Sequence, residues 1–148
     1  MVKIMFNSIL VICTGNICRS PFAERILRKK LPNMKIDSAG TGALVDSAAD
    51  STAMRIAKSF DVSLDGHKGK QFSAKLGREY DLILVMEKAH ITQISSIAPE
   101  VRGKTMLLNH WVNQKDIPDP YRKSDEAFES VFNLIEKACL KWVEKLNG

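Results

Sequence analysis

Cysteine is scarce in this chain: only Cys13, Cys18 and Cys139 occur in 148 residues. An odd, low count argues against the disulfide framework of a small secreted domain. Histidine is scarce too, and His67, His90 and His110 are far in sequence from one another and from the cysteines. No metal-ligand spacing results, and neither a metal nor a cofactor is expected. Long apolar runs are missing. A run such as Ile9 to Cys13 is far too short to span a membrane. Met1 to Phe6 lacks an apolar stretch followed by a small-residue cleavage site. A soluble, cytoplasmic protein is the expectation, not inserted in a membrane. Basic residues outnumber acidic ones, 22 to 17, but they are scattered, with small clusters at Arg28-Lys29-Lys30 and Lys68-Lys70. No aromatic residues interleave with them, so a nucleic-acid surface is not expected. Repeats, linkers and low-complexity tracts are absent, and the length fits one domain, 1–148.

What is present alternates. Ile9-Leu10-Val11-Ile12 is short, β-branched and continuously apolar, as a buried parallel strand is. Thr14 to Ser20 reads as a loop, and Pro21 suits the first residue of a helix running to Leu31. Lys35 to Ser38 reads as a second strand, followed by a loop from Ala39 to Ser47. Asp50 or Ser51 caps a helix ending near Phe60. A loop with Gly66, His67 and Gly69 leads to a short helix opened by Ser73. Asp81 to Met86 is the second strong strand, Lys88 to Ile97 a helix, and Lys104 to Leu108 a fourth strand. Ile117 to Arg122 holds two prolines and must be loop. A long helix from Ser124 to Leu146 presents Phe128, Val131, Phe132, Leu134, Ile135, Leu140, Val143 and Leu146 as its inward stripe. Apolar strands alternating with helices predict an α/β fold with a parallel sheet and helices on both faces. In such sheets ligands bind beyond the carboxyl ends of strands, where the strand order reverses.

The loop after the first strand reads Cys13-Thr14-Gly15-Asn16-Ile17-Cys18-Arg19-Ser20-Pro21. A helix start offers unpaired N–H groups and the positive end of its dipole, which suit a phosphate. Gly15 lets the backbone curl so that successive N–H groups form an anion nest. Cys13 would sit at its floor, where the same field favours the nucleophilic thiolate. Arg19 would grip two phosphate oxygens through its planar guanidinium. Ser20 would donate a hydrogen bond to the Cys13 sulfur and ease its departure. Asp119, from its own sequence context, is either an acid or an ordinary Asp-Pro turn residue.

This Cys-Thr-Gly-Asn-Ile-Cys-Arg-Ser-Pro loop resembles the phosphate-binding loop of the low-molecular-weight protein tyrosine phosphatases, and Asp119-Pro120-Tyr121 resembles their second motif. The similarity runs over essentially the whole chain. It is greatest to bacterial members acting on exopolysaccharide and capsule tyrosine kinases, which share stretches like Asp81-Leu82-Ile83-Leu84 and Ile117 to Ser124. The resemblance implies a three-layer fold with sheet order 2-1-3-4. It implies Cys13 as nucleophile, Arg19 as clamp and Asp119 as general acid, with Thr14 to Ser20 binding phosphate. It implies that the Asn16 side chain is held by Ser38 and His67, although by itself His67 could be a solvated loop residue. Leu44 and Tyr121 would flank the substrate ring. Arg122 replaces a second aromatic and suggests a more open or more basic rim, and Gly69-Lys70-Gln71 stands where the family usually has Ala-Arg-Gln. In related enzymes the residue matching Cys18 forms a reversible disulfide with the nucleophile; a small buried filler is the other reading. Cys139 reads as core filler, and His90 and His110 as solvated or packed surface residues. The implied partner is a phosphotyrosine protein, a membrane-associated bacterial tyrosine kinase, met by a monomeric phosphatase.

A thioredoxin-coupled arsenate reductase shares a similar loop. That chemistry relays a disulfide to a downstream cysteine pair, and this chain has no cysteine between Cys18 and Cys139. A non-catalytic phosphate-binding module is disfavoured because Cys13, Arg19 and Asp119 are all present.

Overall fold

Four parallel strands form one sheet in the order β2-β1-β3-β4, as expected: β1 (Ser8–Cys13), β2 (Lys35–Gly40), β3 (Leu82–Val85) and β4 (Thr105–Leu107). The structure, a computed structural model, describes residues 6–147. The reading of Met1 to Phe6 therefore falls almost wholly outside the described residues, as do the two ends of the 1–148 span. Five helices surround the sheet: α1 (Arg19–Lys30), α2 (Ser51–Lys58), α3 (Ala74–Arg78), α4 (Lys88–Ile97) and α5 (Asp125–Asn147). Two short 3-10 segments, Pro99–Lys104 and Leu108–Trp111, flank β4 and were not expected.

Every residue of β1 is buried because both sheet faces are covered. Ile9, Val11 and Cys13 face a core shared with α1, α2 and α5, whereas Leu10 and Ile12 face the core beneath α3 and α4. In the larger core Phe22 of α1 stacks on Phe132 of α5, with centroids 3.9 Å apart and planes 7° apart. Asp50 caps α2 by accepting from the Ala53 N–H, and Ser73 caps α3 by accepting from Leu76.

Two readings need correction. Helix α1 begins at Arg19, two residues before Pro21. Proline is tolerated there because the N–H groups of a helix's first turn have no intrahelical acceptor. On α5, Leu134 and Leu140 are 37% and 43% exposed, outside the inward stripe. The buried stripe is Phe128, Val131, Phe132, Ile135, Ala138, Cys139 and Trp142, which follows helical periodicity. Leu134 and Leu140 sit off that line.

The chain passes from β1 to β2 on one side and later to β3 on the other. The order reverses at β1, so the switch point lies at its carboxyl end, at Cys13.

Candidate active site

Cys13 ends β1 opposite Gly40, the last residue of β2. The loop from Thr14 crosses so close to this strand end that a methyl group built on Gly40 would collide with the Thr14 carbonyl oxygen. Glycine is required there to let the loop lie down on the sheet edge.

Asn16 organises the loop from within. It is fully buried and takes the left-handed conformation at φ +58°, which asparagine tolerates. Its side-chain NH2 donates to Ser20 Oγ at 2.8 Å and to Ser38 Oγ at 3.0 Å. Its Oδ1 accepts from the Lys70 N–H at 2.9 Å, and its carbonyl accepts from His67 Nε2 at 2.5 Å. A carbonyl only accepts, so His67 carries its proton on Nε2. Burial, the first cause, lowers the pKa of that ring and keeps it neutral. Ser38 in turn donates to the buried Glu24 carboxylate at 2.9 Å, and Arg25 holds that carboxylate at 3.0 Å. Ser38 thus holds the Asn16 side chain, whereas His67 holds the Asn16 backbone carbonyl and not the side chain that the resemblance implied. Glu24 was not foreseen.

Ser20 Oγ lies 2.9 Å from Cys13 Sγ and accepts from Asn16; once Cys13 is a thiolate its sulfur can only accept, and the Ser20 hydrogen is donated to it. Donation in that direction stabilises a thiolate.

Arg19, on the first turn of α1, is 1% exposed. Its Nη1 donates to Glu87 Oε2 at 2.6 Å and to the Ile117 carbonyl at 2.8 Å. The carboxylate offsets the cost of burying the guanidinium, and the two acceptors fix its plane. Nη2 lies 3.7 Å from Asp119 Oδ2. Asp119 is 46% exposed, and its Oδ1 accepts from the Tyr121 N–H at 3.0 Å, a local turn that aims the carboxyl group. Pro118 and Pro120 restrict the backbone on either side.

Sequence reasoning missed two neighbours. Glu87 and His90 open α4 in a reciprocal capping box. Far from being a surface residue without a partner, His90 is 2% exposed. Its Nδ1 accepts from the Glu87 N–H at 3.1 Å, so the ring proton is on Nε2 and is donated to Thr14 Oγ1 at 2.9 Å. Burial first, and the Arg19 charge second, depress its pKa to about 4, and the ring is neutral at ordinary pH. The available signal was position: a charged residue and a histidine three apart, directly after the strand next to β1.

These groups surround a pocket of about 200 Å³ whose floor carries Cys13, Cys18 and Arg19 and whose rim carries Asp119, Leu44 and Tyr121. Thr14, Gly15 and Ile17 line it as well, whereas Asn16, Ser20, Ser38 and His67 support it from behind. Cys18 is buried, and burial followed by the Asp50 charge pushes its thiol pKa up, so it stays protonated. The Arg122 guanidinium lies 5.2 Å from the Tyr121 ring centre. Outside the pocket, Cys139 is fully buried beneath α1 as core filler, and His110 packs against Trp111 and Trp142. A pocket with a sulfur at the floor, a fixed guanidinium beside it and a carboxyl group at the lip suits an aryl phosphate.

Residues 8–148 match the family model described as low molecular weight phosphotyrosine protein phosphatase. The chain is 56% identical over 147 residues to the low molecular weight protein-tyrosine-phosphatase Etp of Escherichia coli K12, with 99% of each chain covered. It is 54% identical to the protein-tyrosine-phosphatase Wzb of Salmonella typhimurium, over 97% of each chain. Among solved structures, the tyrosine phosphatase Wzb of Escherichia coli K30 in complex with sulphate superposes with a TM-score of 0.94 at 62% identity, covering 96% of this chain and 99% of that one.

Proposed function

The chain belongs to the low molecular weight phosphotyrosine protein phosphatase family and is a protein-tyrosine-phosphatase of the Wzb and Etp type, and on that premise we propose that it works through a cysteinyl-phosphate intermediate formed on Cys13. The observation that carries this reading is the hydrogen bond between Ser20 and Cys13 at 2.9 Å, inside a pocket that also holds Arg19 and Asp119.

The Cys13 thiolate attacks phosphorus, and the tyrosine oxygen leaves with a proton from Asp119. Arg19 and the N–H groups of Thr14 to Ser20 hold the equatorial oxygens, whose charge they stabilise most in the transition state. Glu87 and the Ile117 carbonyl keep the guanidinium in that plane. The Asp119 carboxylate then takes a proton from water, which attacks the phospho-enzyme. The Cys13 thiolate departs under the Ser20 hydrogen bond, and inorganic phosphate is released. Leu44 and Tyr121 form the walls for the substrate ring. Disulfide relay to Cys139 is disfavoured by the complete burial of that side chain.

By resemblance, the substrate is a bacterial tyrosine kinase that controls exopolysaccharide or capsule production, dephosphorylated on its tyrosine-rich tail by a monomeric enzyme. The test is Cys13→Ser. This variant is expected to lose aryl phosphate hydrolysis while still binding inorganic phosphate, and acid-quenched wild-type turnover is expected to leave phosphate on Cys13. Full turnover by the variant would remove the covalent mechanism. Used as bait, the same variant should retain the phosphorylated kinase; a catch without it would remove the partner.

A further inference from the structure

The rim segment Thr41 to Ser47 is neither helix nor strand, and its wall residue Leu44 is 46% exposed. A side chain so little packed takes its position from its backbone. That backbone is fastened on two sides. Toward the phosphate-binding loop, Thr41, Gly42 and Leu44 donate to the carbonyls of Cys13, Thr14 and Gly15 at 3.1, 3.0 and 3.1 Å. On the other side lies the segment from Gly69 to Phe72, itself anchored to the end of β2 through Gly40.

Two residues make the second attachment. Gly69 exchanges backbone hydrogen bonds with the rim: its carbonyl accepts from Asp46 at 2.8 Å and its N–H donates to Ser47 at 2.8 Å. The approach is so close that a Cβ at position 69 would collide with the Leu44 carbonyl oxygen. A backbone oxygen held on both sides cannot swing away as a side-chain tip can. The Gln71 side chain adds a clamp, accepting from the Ala43 N–H at 2.9 Å and donating to the Thr41 carbonyl at 3.0 Å.

We propose that Gln71 is a specificity-positioning residue, which sets where the Leu44 wall stands over the pocket and so selects the organic part of the substrate, without acting on the phosphate. The inference rests on the phosphotyrosine reading of the pocket. Gly69 admits the rim at backbone-to-backbone distance, and Gln71 locks it there.

The experiment compares wild type and Q71A with two probes. A phosphotyrosine peptide reads the whole pocket. Inorganic phosphate, as competitive inhibitor, reads the loop alone. Q71A is expected to raise KM for the peptide roughly five- to tenfold, with kcat and the phosphate inhibition constant within about twofold of wild type. Gln71 is an exposed side chain outside the pocket lining, so its truncation leaves the fold in place. An unchanged KM overturns the inference. So does a phosphate constant that rises in step with KM, because Gln71 would then act through the phosphate loop. A wild-type protein that binds phosphate but leaves the peptide intact sinks the phosphotyrosine reading and this inference together.

Discussion

The Ser20 hydroxyl is poised 2.9 Å from the Cys13 sulfur, with its oxygen already occupied by the Asn16 side chain. A thiolate can only accept, so when Cys13 is ionised the Ser20 hydroxyl donates to it. Charge develops on that sulfur when the phospho-enzyme breaks down. Ser20→Ala should therefore slow the second step more than the first, lowering kcat by about ten- to a hundredfold. Rapid-quench kinetics should then reveal a burst of released phenol that wild type lacks or has in smaller amplitude. A fall in kcat with no accumulation of phospho-enzyme would place the effect elsewhere.

Asp119 faces Arg19 at 3.7 Å from an exposed loop, within reach of a departing oxygen at the pocket lip. Its proposed work is proton donation, which matters most when the leaving group is a poor one. Asp119→Asn should slow phenyl phosphate far more than p-nitrophenyl phosphate. The pH profile gives a second reading. Activity needs Cys13 as thiolate, which favours higher pH, and Asp119 as acid, which favours lower pH, so a rising and a falling limb are expected. The variant should lose the falling limb and keep the rising one. Equal slowing of both esters, or an intact falling limb, would remove Asp119 from the acid role.

Much of this site was legible because it is local in sequence. Cys13 to Ser20 occupy one strand-loop-helix turn, and the apolar strand before it places that turn at the sheet's switch point. Glu87 and His90 were illegible for the opposite reason. Their partners Arg19 and Thr14 are 68 and 76 residues away, and only the pairing of β1 with β3 brings them together. On α5 a residue's angle around the helix axis, not its being leucine, decides whether it faces the core. The buried line runs through Ala138, Cys139 and Trp142, small or aromatic residues at the proper angle, and leaves Leu134 and Leu140 outside it. Glu24 escaped notice because a glutamate on a surface helix is ordinarily solvated. Its burial makes sense only once Ser38 and Arg25 are seen around it.

His90 makes the stability of the protein depend on pH. Five groups bear on its ring: Arg19 of α1, the Glu87 cap of α4, Asp116 and Asp119 of the proline loop, and Thr14 of the phosphate loop. Burial, then Arg19, oppose a proton on Nδ1, which is already occupied as acceptor of the Glu87 N–H. The folded ring therefore titrates at about 4, whereas an unfolded histidine titrates near 6.5. Between these values the unfolded chain binds more protons than the folded one, so stability rises with pH there and is lost as pH falls from about 6.5 toward 4. The lost contribution is on the order of 2–3 kcal/mol. Urea unfolding of wild type and His90→Asn at intervals from pH 7 to pH 4 isolates this group from the others. The wild-type advantage should shrink steadily across the window. A constant difference between the two proteins would mean that His90 takes up its proton in the folded state as readily as in the unfolded one, and the neutral hydrogen bond to Thr14 would have to be abandoned.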